Sequence, residues 1–110
     1  MHNDSYLENS VNVKRPLAIR ALRRSSVRKK IAEYLFEISP SCSYTSEIAF
    51  NVKTTPTNVL GAIRGMGSRY RVEESLLNLN IVELKDESER IKLYGLTSFG
   101  KEILESLNNR

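Results

Sequence analysis

The sequence predicts a small α+β domain, mostly helical, in which short helices lead into one β-hairpin and a last helix. Apolar residues recur at three- and four-residue spacing through Val27, Ile31, Leu35 and Ile38, and again through Val59, Ala62, Ile63 and Met66. That is the period of a helix with one buried stripe. Two β-prone runs, Ile81 to Leu84 and Ile91 to Leu96, flank the polar stretch Lys85 to Arg90, a spacing that suits a hairpin with a longer loop. Residues that start and stop helices fall between these segments in a consistent order. At 110 residues and 40% hydrophobic, the chain has room for one compact domain with a modest core, and none for a second.

In chain order, residues 1–13 are polar, show no hydrophobic period and read as an N-terminal tail. Residues 14–24 form a basic arm or a short helix: Pro16 suits a first helical turn, and Leu17, Ala18, Ile19, Ala21 and Leu22 alternate with Arg20, Arg23 and Arg24. The main domain spans 25–107, followed by a tail at 108–110. Ser25 or Ser26 caps its first helix, and Ser39-Pro40-Ser41 stops it. Thr45 or Ser43 caps the next, with Glu47 in the first turn and Ile48, Ala49 and Val52 facing inward. Asn51 to Thr54 is a tight polar connection. Thr55-Pro56 then reads as cap plus first helical residue. The stripe ending at Met66 leaves Thr57, Asn58, Leu60, Gly61 and Arg64 on the outer face. Gly65 and Gly67 end that helix, and a basic connector carries Arg69, Tyr70 and Arg71. The spacing predicts a further helix over Glu73 to Leu79 with Leu76, Leu77 and Leu79 inward. Thr97 caps a final helix containing Ile103, Leu104 and Leu107.

The formal charge of +4 hides a division along the chain. Residues 1–13 carry −2, residues 14–71 carry +9 and residues 72–110 carry −3. Lys14 to Lys30 alone holds eight cations and no acid. A basic middle favours a polyanionic partner. One cysteine, Cys42, allows no internal disulfide, and with one histidine, His2, the usual nucleophile–base pairs and zinc sites cannot be assembled. No metal or cofactor is therefore expected, and no enzyme activity. No apolar run approaches the ~20 residues of a membrane span, and the N-terminus lacks the pattern of a secretory signal, so a cytoplasmic protein is expected.

Two short helices joined by a few polar residues, the second capped and polar on one face, define a helix-turn-helix. A following β-hairpin makes it a winged helix-turn-helix. The sequence resembles archaeal and bacterial winged helix-turn-helix regulators, the broad group that includes the MarR-like, ArsR-like and PadR-like families. The residues that carry the resemblance are Val27 to Leu35, Thr45 to Ala49, Thr55 to Ile63, Leu79 to Glu83 and Leu96 to Gly100. It implies double-stranded DNA as partner, a helix from Thr55 to Met66 in the major groove, and pairing into a homodimer that reads two half-sites.

The residues point the same way. Asn58 has the donor and acceptor an adenine edge needs, Arg64 suits guanine or phosphate, and Thr57 suits a phosphate or a thymine methyl. Thr55 stands at a helix N-terminus, itself favourable to anions, and Gly61 permits close approach of the backbone. Lys53, Arg69, Arg71, Arg20, Arg23, Arg24 and Arg28 are the candidate phosphate contacts. Neutralising six to eight phosphates corresponds to a salt slope of roughly −5 to −7. The wing departs from a DNA-gripping pattern, because Lys85, Arg90 and Lys92 are balanced by Asp86, Glu87 and Glu89. Tyr34, Phe36, Tyr44, Tyr70, Tyr94 and Phe99 are expected to pack in the core or an interface, and Leu104 and Leu107, with Tyr6 and Leu7, are candidates for a dimer surface. An acidic wing and C-terminal third also suit a different class: a protein-interaction module or an RNA-associated one, since a fold does not fix a function.

Overall fold

In the computed structural model, which describes residues 14–88 and 90–108, the chain forms five helices and a two-stranded antiparallel sheet. Helix α1 covers 14–24, so the basic segment is helical. Ala18, Ala21 and Leu22 on α1 are buried with the rest of the core, which makes α1 part of the domain. Helix α2, Ser26–Ile38, starts at Ser25, whose hydroxyl accepts from the Arg28 amide at 3.1 Å. It contributes Ile31, Ala32 and Leu35 to the core.

Helix α3, Thr45–Val52, begins after Tyr44 with no side-chain cap. The expected cap residue Ser43 instead donates its hydroxyl to the Glu47 carboxylate. Ile48, Ala49 and Val52 face inward, and Lys53 closes the helix in the left-handed conformation, its N–H bonded to the Ala49 carbonyl. Helix α4 runs Pro56–Arg64 with Thr55 as cap and Val59, Ala62 and Ile63 buried. It stops at Gly65, whose φ of 88° suits glycine. Met66 therefore lies beyond the helix and is 45% exposed, not the last member of its buried stripe. Met66 and Tyr70 exchange backbone hydrogen bonds at 2.7 and 3.2 Å, closing a tight loop.

The expected helix over 73–79 is replaced by a single 3-10 turn, Val72–Glu74, and a run of turns. The reason lies in where the backbone bonds go. The amides of Leu76 and Leu77 donate to the carbonyls of Ala62 and Ile63, two of the groups that the end of α4 leaves without helical partners. A segment spent on capping another helix is not free to form its own. Leu76 and Leu79 are nonetheless buried, as the apolar spacing implied.

Strands β1, Val82–Glu87, and β2, Lys92–Leu96, pair in register Val82 to Leu96 and Leu84 to Tyr94, with a bulge before Asp86. Ser43 adds a one-residue third rung, exchanging backbone bonds with Tyr94 at 2.9 and 2.8 Å. That bridge ties the start of α3 to the hairpin. Helix α5, Ser98–Asn108, is capped by Thr97, which accepts from Gly100 N–H at 2.8 Å and donates to the Ile81 carbonyl at 3.0 Å. Leu104 is 1% exposed and belongs to the core, so it is not available to a dimer surface, and Leu107 packs partly against the same core. Tyr6 and Leu7 lie outside the described residues. Among the described residues, no helix is long and apolar enough to cross a membrane, and no group of three His, Cys, Asp or Glu could hold a metal ion.

Candidate nucleic-acid interface

The turn between α3 and α4 sets the geometry of the candidate site. Lys53 in the left-handed conformation reverses the chain, and Thr55 then starts α4 by accepting from the Asn58 amide at 3.1 Å. The fixed φ of Pro56 suits the first helical position, where its missing N–H leaves no bond unmade. From that start, Thr57 and Arg64 are exposed and Leu60 is half-buried, so these three form an outer ridge on α4. Asn58 is half-buried, and its Nδ2 donates to Thr54 Oγ1 at 3.0 Å.

Gly61 is placed differently from the expectation of an open position. It is buried, and a Cβ built there would stand 2.4 Å from Tyr70 Cδ2. The close approach that this glycine permits is that of the chain's own tyrosine, not of a partner. The Tyr70 ring docked on α4 also carries the Arg69 guanidinium, 5.7 Å from the ring centroid.

Arg24, Arg28, Arg69 and Arg71 converge on a single cleft of about 460 Å³ between the α1–α2 junction and the connector. Ser25, Ser26, Val27, Ser68, Tyr70 and Glu74 complete its walls. Glu74 Oε1 lies 3.4 Å from Arg28 Nη1, and its Oε2 lies 3.6 Å from Arg24 Nη1. Arg28 is only 4% exposed, so it is a buried wall of this cleft and not the exposed phosphate contact the basic run suggested. Its guanidinium sits 5.8 Å from the Tyr70 centroid.

Arg20 and Arg23 are exposed on α1 and are not among the residues that line this cleft. Lys53 is exposed but lines a second, shallower depression with Lys30, Glu33, Tyr34, Glu37 and Asn51, where acids balance bases. On the hairpin, Lys85 pairs with Glu83 and Lys92 with Glu87, each at 3.6 Å. The hairpin lysines thus already have local carboxylates.

Sequence reasoning missed the roles of Tyr70 and Glu74. A glycine in the middle of α4 was the available signal for Tyr70, since glycine inside a helix is unfavourable unless something needs the space. It also missed Phe50, which is 83% exposed on α3; the stripe Ile48, Ala49, Val52 leaves that position outside the core.

The geometry defines a small, mostly helical α+β domain with an arginine-rich cleft flanking one exposed helix. The chain belongs to the EarA-like family, which matches residues 18–107. An uncharacterized protein of Methanocaldococcus jannaschii is 41% identical over 95 residues, covering 86% of this chain and 85% of that protein. No solved structure matches the chain.

Proposed function

We propose that this protein is a sequence-specific, double-stranded DNA-binding transcription regulator, not an enzyme, acting in the cytoplasm through a winged helix-turn-helix of the MarR-like, ArsR-like and PadR-like kind. In this reading α3 and α4 are the helix-turn-helix, α4 enters the major groove, and the hairpin from β1 to β2 is the wing. The observation that carries the reading is the outer ridge of α4: Thr57 and Arg64 exposed on a capped helix. A helix of these dimensions fits the major groove, and Arg64 has the fork that reads guanine. The Ser43–Tyr94 bridge supports it as well, because it fixes the hairpin to the start of α3 and so to the helical pair. Arg20, Arg23 and Arg24 on α1 supply phosphate contacts, and the self-paired hairpin contributes few.

In-vitro selection from random duplexes, followed by titration at several salt concentrations, tests the proposal. A selected duplex is expected to bind at least ~10³ more tightly than random DNA; equal affinities would remove the regulator reading. One observation favours a second reading, a protein-interaction module that pairs with itself or another protein. Phe50 at 83% exposure, with no core contact to explain it, is the kind of side chain a protein interface covers. A Phe50→Ser variant that turns a dimer into a monomer, in a chain that shows no salt-dependent duplex binding, would favour that module over the regulator.

A further inference from the structure

The arginine cleft is chemically incomplete. It gathers Arg24, Arg28, Arg69 and Arg71 against a single carboxylate, Glu74. Glu74 is shared between Arg28 and Arg24, at 3.4 and 3.6 Å, and reaches each guanidinium through one Nη only. The Nε of Arg28 is fully enclosed and meets no hydrogen-bond partner, although buried donors in folded proteins are almost always satisfied. Arg28 and Arg69 both lie within 5.8 Å of the same Tyr70 ring, which gathers two positive charges on one side chain.

The backbone adds to this imbalance. Helix α2 begins in the wall of the cleft at Ser26 and Val27, and its first turn contains no acidic residue to offset the partial positive charge of a helix N-terminus. Guanidinium forks beside a helix start match the oxygens of one tetrahedral anion. At about 460 Å³ the cleft also has room for whatever that anion is attached to.

We propose that this cleft is a phosphate-binding site, with the guanidinium groups of Arg24, Arg69 and Arg71 turned to the anion and the charge of the buried Arg28 beneath it. The phosphate competes with Glu74 for Arg28 and Arg24. Its group belongs either to the DNA backbone or to a free phosphorylated small molecule, and the chemistry of recognition is the same for both. The site goes beyond the regulator reading and does not depend on it. If a free ligand fills it, Tyr70 links the site to α4, because the ring that Arg28 and Arg69 approach is the ring that rests on Gly61.

Nitrogen–proton correlation spectra of the full chain test the site, with inorganic phosphate and a random-sequence duplex as separate probes at constant ionic strength. A saturable displacement of the Arg28 Nε–H signal and of the Ser26 and Val27 amides is expected. Displacement by phosphate alone assigns a free ligand; displacement by duplex, reversed by phosphate, assigns the DNA backbone. In R69A/R71A, whose changes are at exposed positions, binding to the cleft is expected to weaken at least about tenfold. E74Q, which removes the competing charge, should tighten it severalfold. The proposal is overturned if neither probe moves these signals, if the shifts grow without saturation in parallel with those of Lys92 and Lys101, or if R69A/R71A binds as the parent does. Duplex binding followed by anisotropy on the same samples keeps the two ideas apart: duplex bound with a silent cleft sinks the phosphate site alone, and a phosphate-filled cleft with no duplex bound sinks the regulator alone.

Discussion

Replacing Gly61 by alanine tests whether Tyr70 is what occupies the face of α4 between Thr57 and Arg64. An ideal Cβ on Gly61 falls 2.4 Å from Tyr70 Cδ2 and 2.8 Å from Cγ, whereas carbon atoms in contact settle at about 3.5–4.0 Å. These ring atoms sit near the root of the side chain, and the Tyr70 backbone is fixed by its two bonds to Met66. Relief therefore requires the connector itself to move by about 1 Å. Overpacking of this kind costs about 1–3 kcal/mol, and alanine in a helix interior offsets about 1 kcal/mol of that relative to glycine. The net expectation is a loss of about 1 kcal/mol, which lowers Tm by about 4–8 °C in a domain of this size. The sharper expectation is a change of sign. With Tyr70→Ala already in place the clash is gone, and G61A should stabilise by up to about 1 kcal/mol. The coupling between the two sites is then about 2 kcal/mol, within the range found for residues in contact. Urea unfolding of the four proteins measures it, with trimethylamine oxide held constant because Tyr70→Ala alone removes about 3 kcal/mol. Equal stabilisation by G61A in both backgrounds would refute the packing of Tyr70 on α4.

Other outcomes follow from the caps and the basic face. Thr97→Ala removes the acceptor for Gly100 N–H, while the Ile81 carbonyl keeps the residue-97 amide as a donor, so a thermal melt should show a loss of about 1–2 kcal/mol; an unchanged Tm would deny the cap its role. R23A/R24A removes two exposed cations of α1, and the slope of log affinity against log salt on random duplex should flatten by about 2, one per phosphate contact. A slope unchanged from the parent would take α1 out of the interface. Asn58→Ala and Arg64→Ala should each weaken a selected site by about 1–3 kcal/mol while leaving random duplex almost unaffected; equal losses on both DNAs would reassign these residues to the backbone.

Much of the fold was legible because its signals are local. Ser25, Thr55 and Thr97 cap their helices through hydroxyls that reach an amide three residues on, and that geometry can be recognised from the residue type and the apolar run that follows it. The hairpin was legible from its two β-prone runs, but Lys85 to Glu87, expected in the polar loop, extend β1, and Asp86 and Glu87 pair with β2, because the polar side chains of this exposed edge do not prevent backbone pairing. Residues 72–80 were not legible, because the groups that decide their conformation are the carbonyls of Ala62 and Ile63, on another element. Apolar spacing correctly placed Leu76 and Leu79 inside, yet burial is compatible with turns as well as with a helix. The site was less legible than the fold. Arg28 stands three, four and seven residues before Ile31, Ala32 and Leu35, on the buried stripe of α2, but its charge concealed that spacing in the basic run Lys14 to Lys30, where Lys29 and Lys30 stay exposed. Gly61 gave a true signal of close approach with the wrong partner attached.

The three-dimensional arrangement also redistributes the charge that the chain order displays. Twelve cations lie in residues 14–71, but the structure does not spread them as one basic face. Arg24, Arg28, Arg69 and Arg71 are drawn into one cleft with a single carboxylate, while Lys53 sits in a depression that Glu33 and Glu37 neutralise. The hairpin lies at the other extreme, since Lys85 and Lys92 each have a carboxylate at 3.6 Å. Exposed pairs of that kind contribute little stability. Their effect is on association, because a phosphate approaching either lysine also meets a nearby carboxylate. Among the described residues, Arg20 and Arg23 on α1 and Arg64 at the end of α4 are exposed, and the cleft sets four arginines against one carboxylate. Field lines from a recessed cluster of like charge reach further than those from paired surface ions, which makes the cleft, more than the hairpin, the place where the proposed anion is first held.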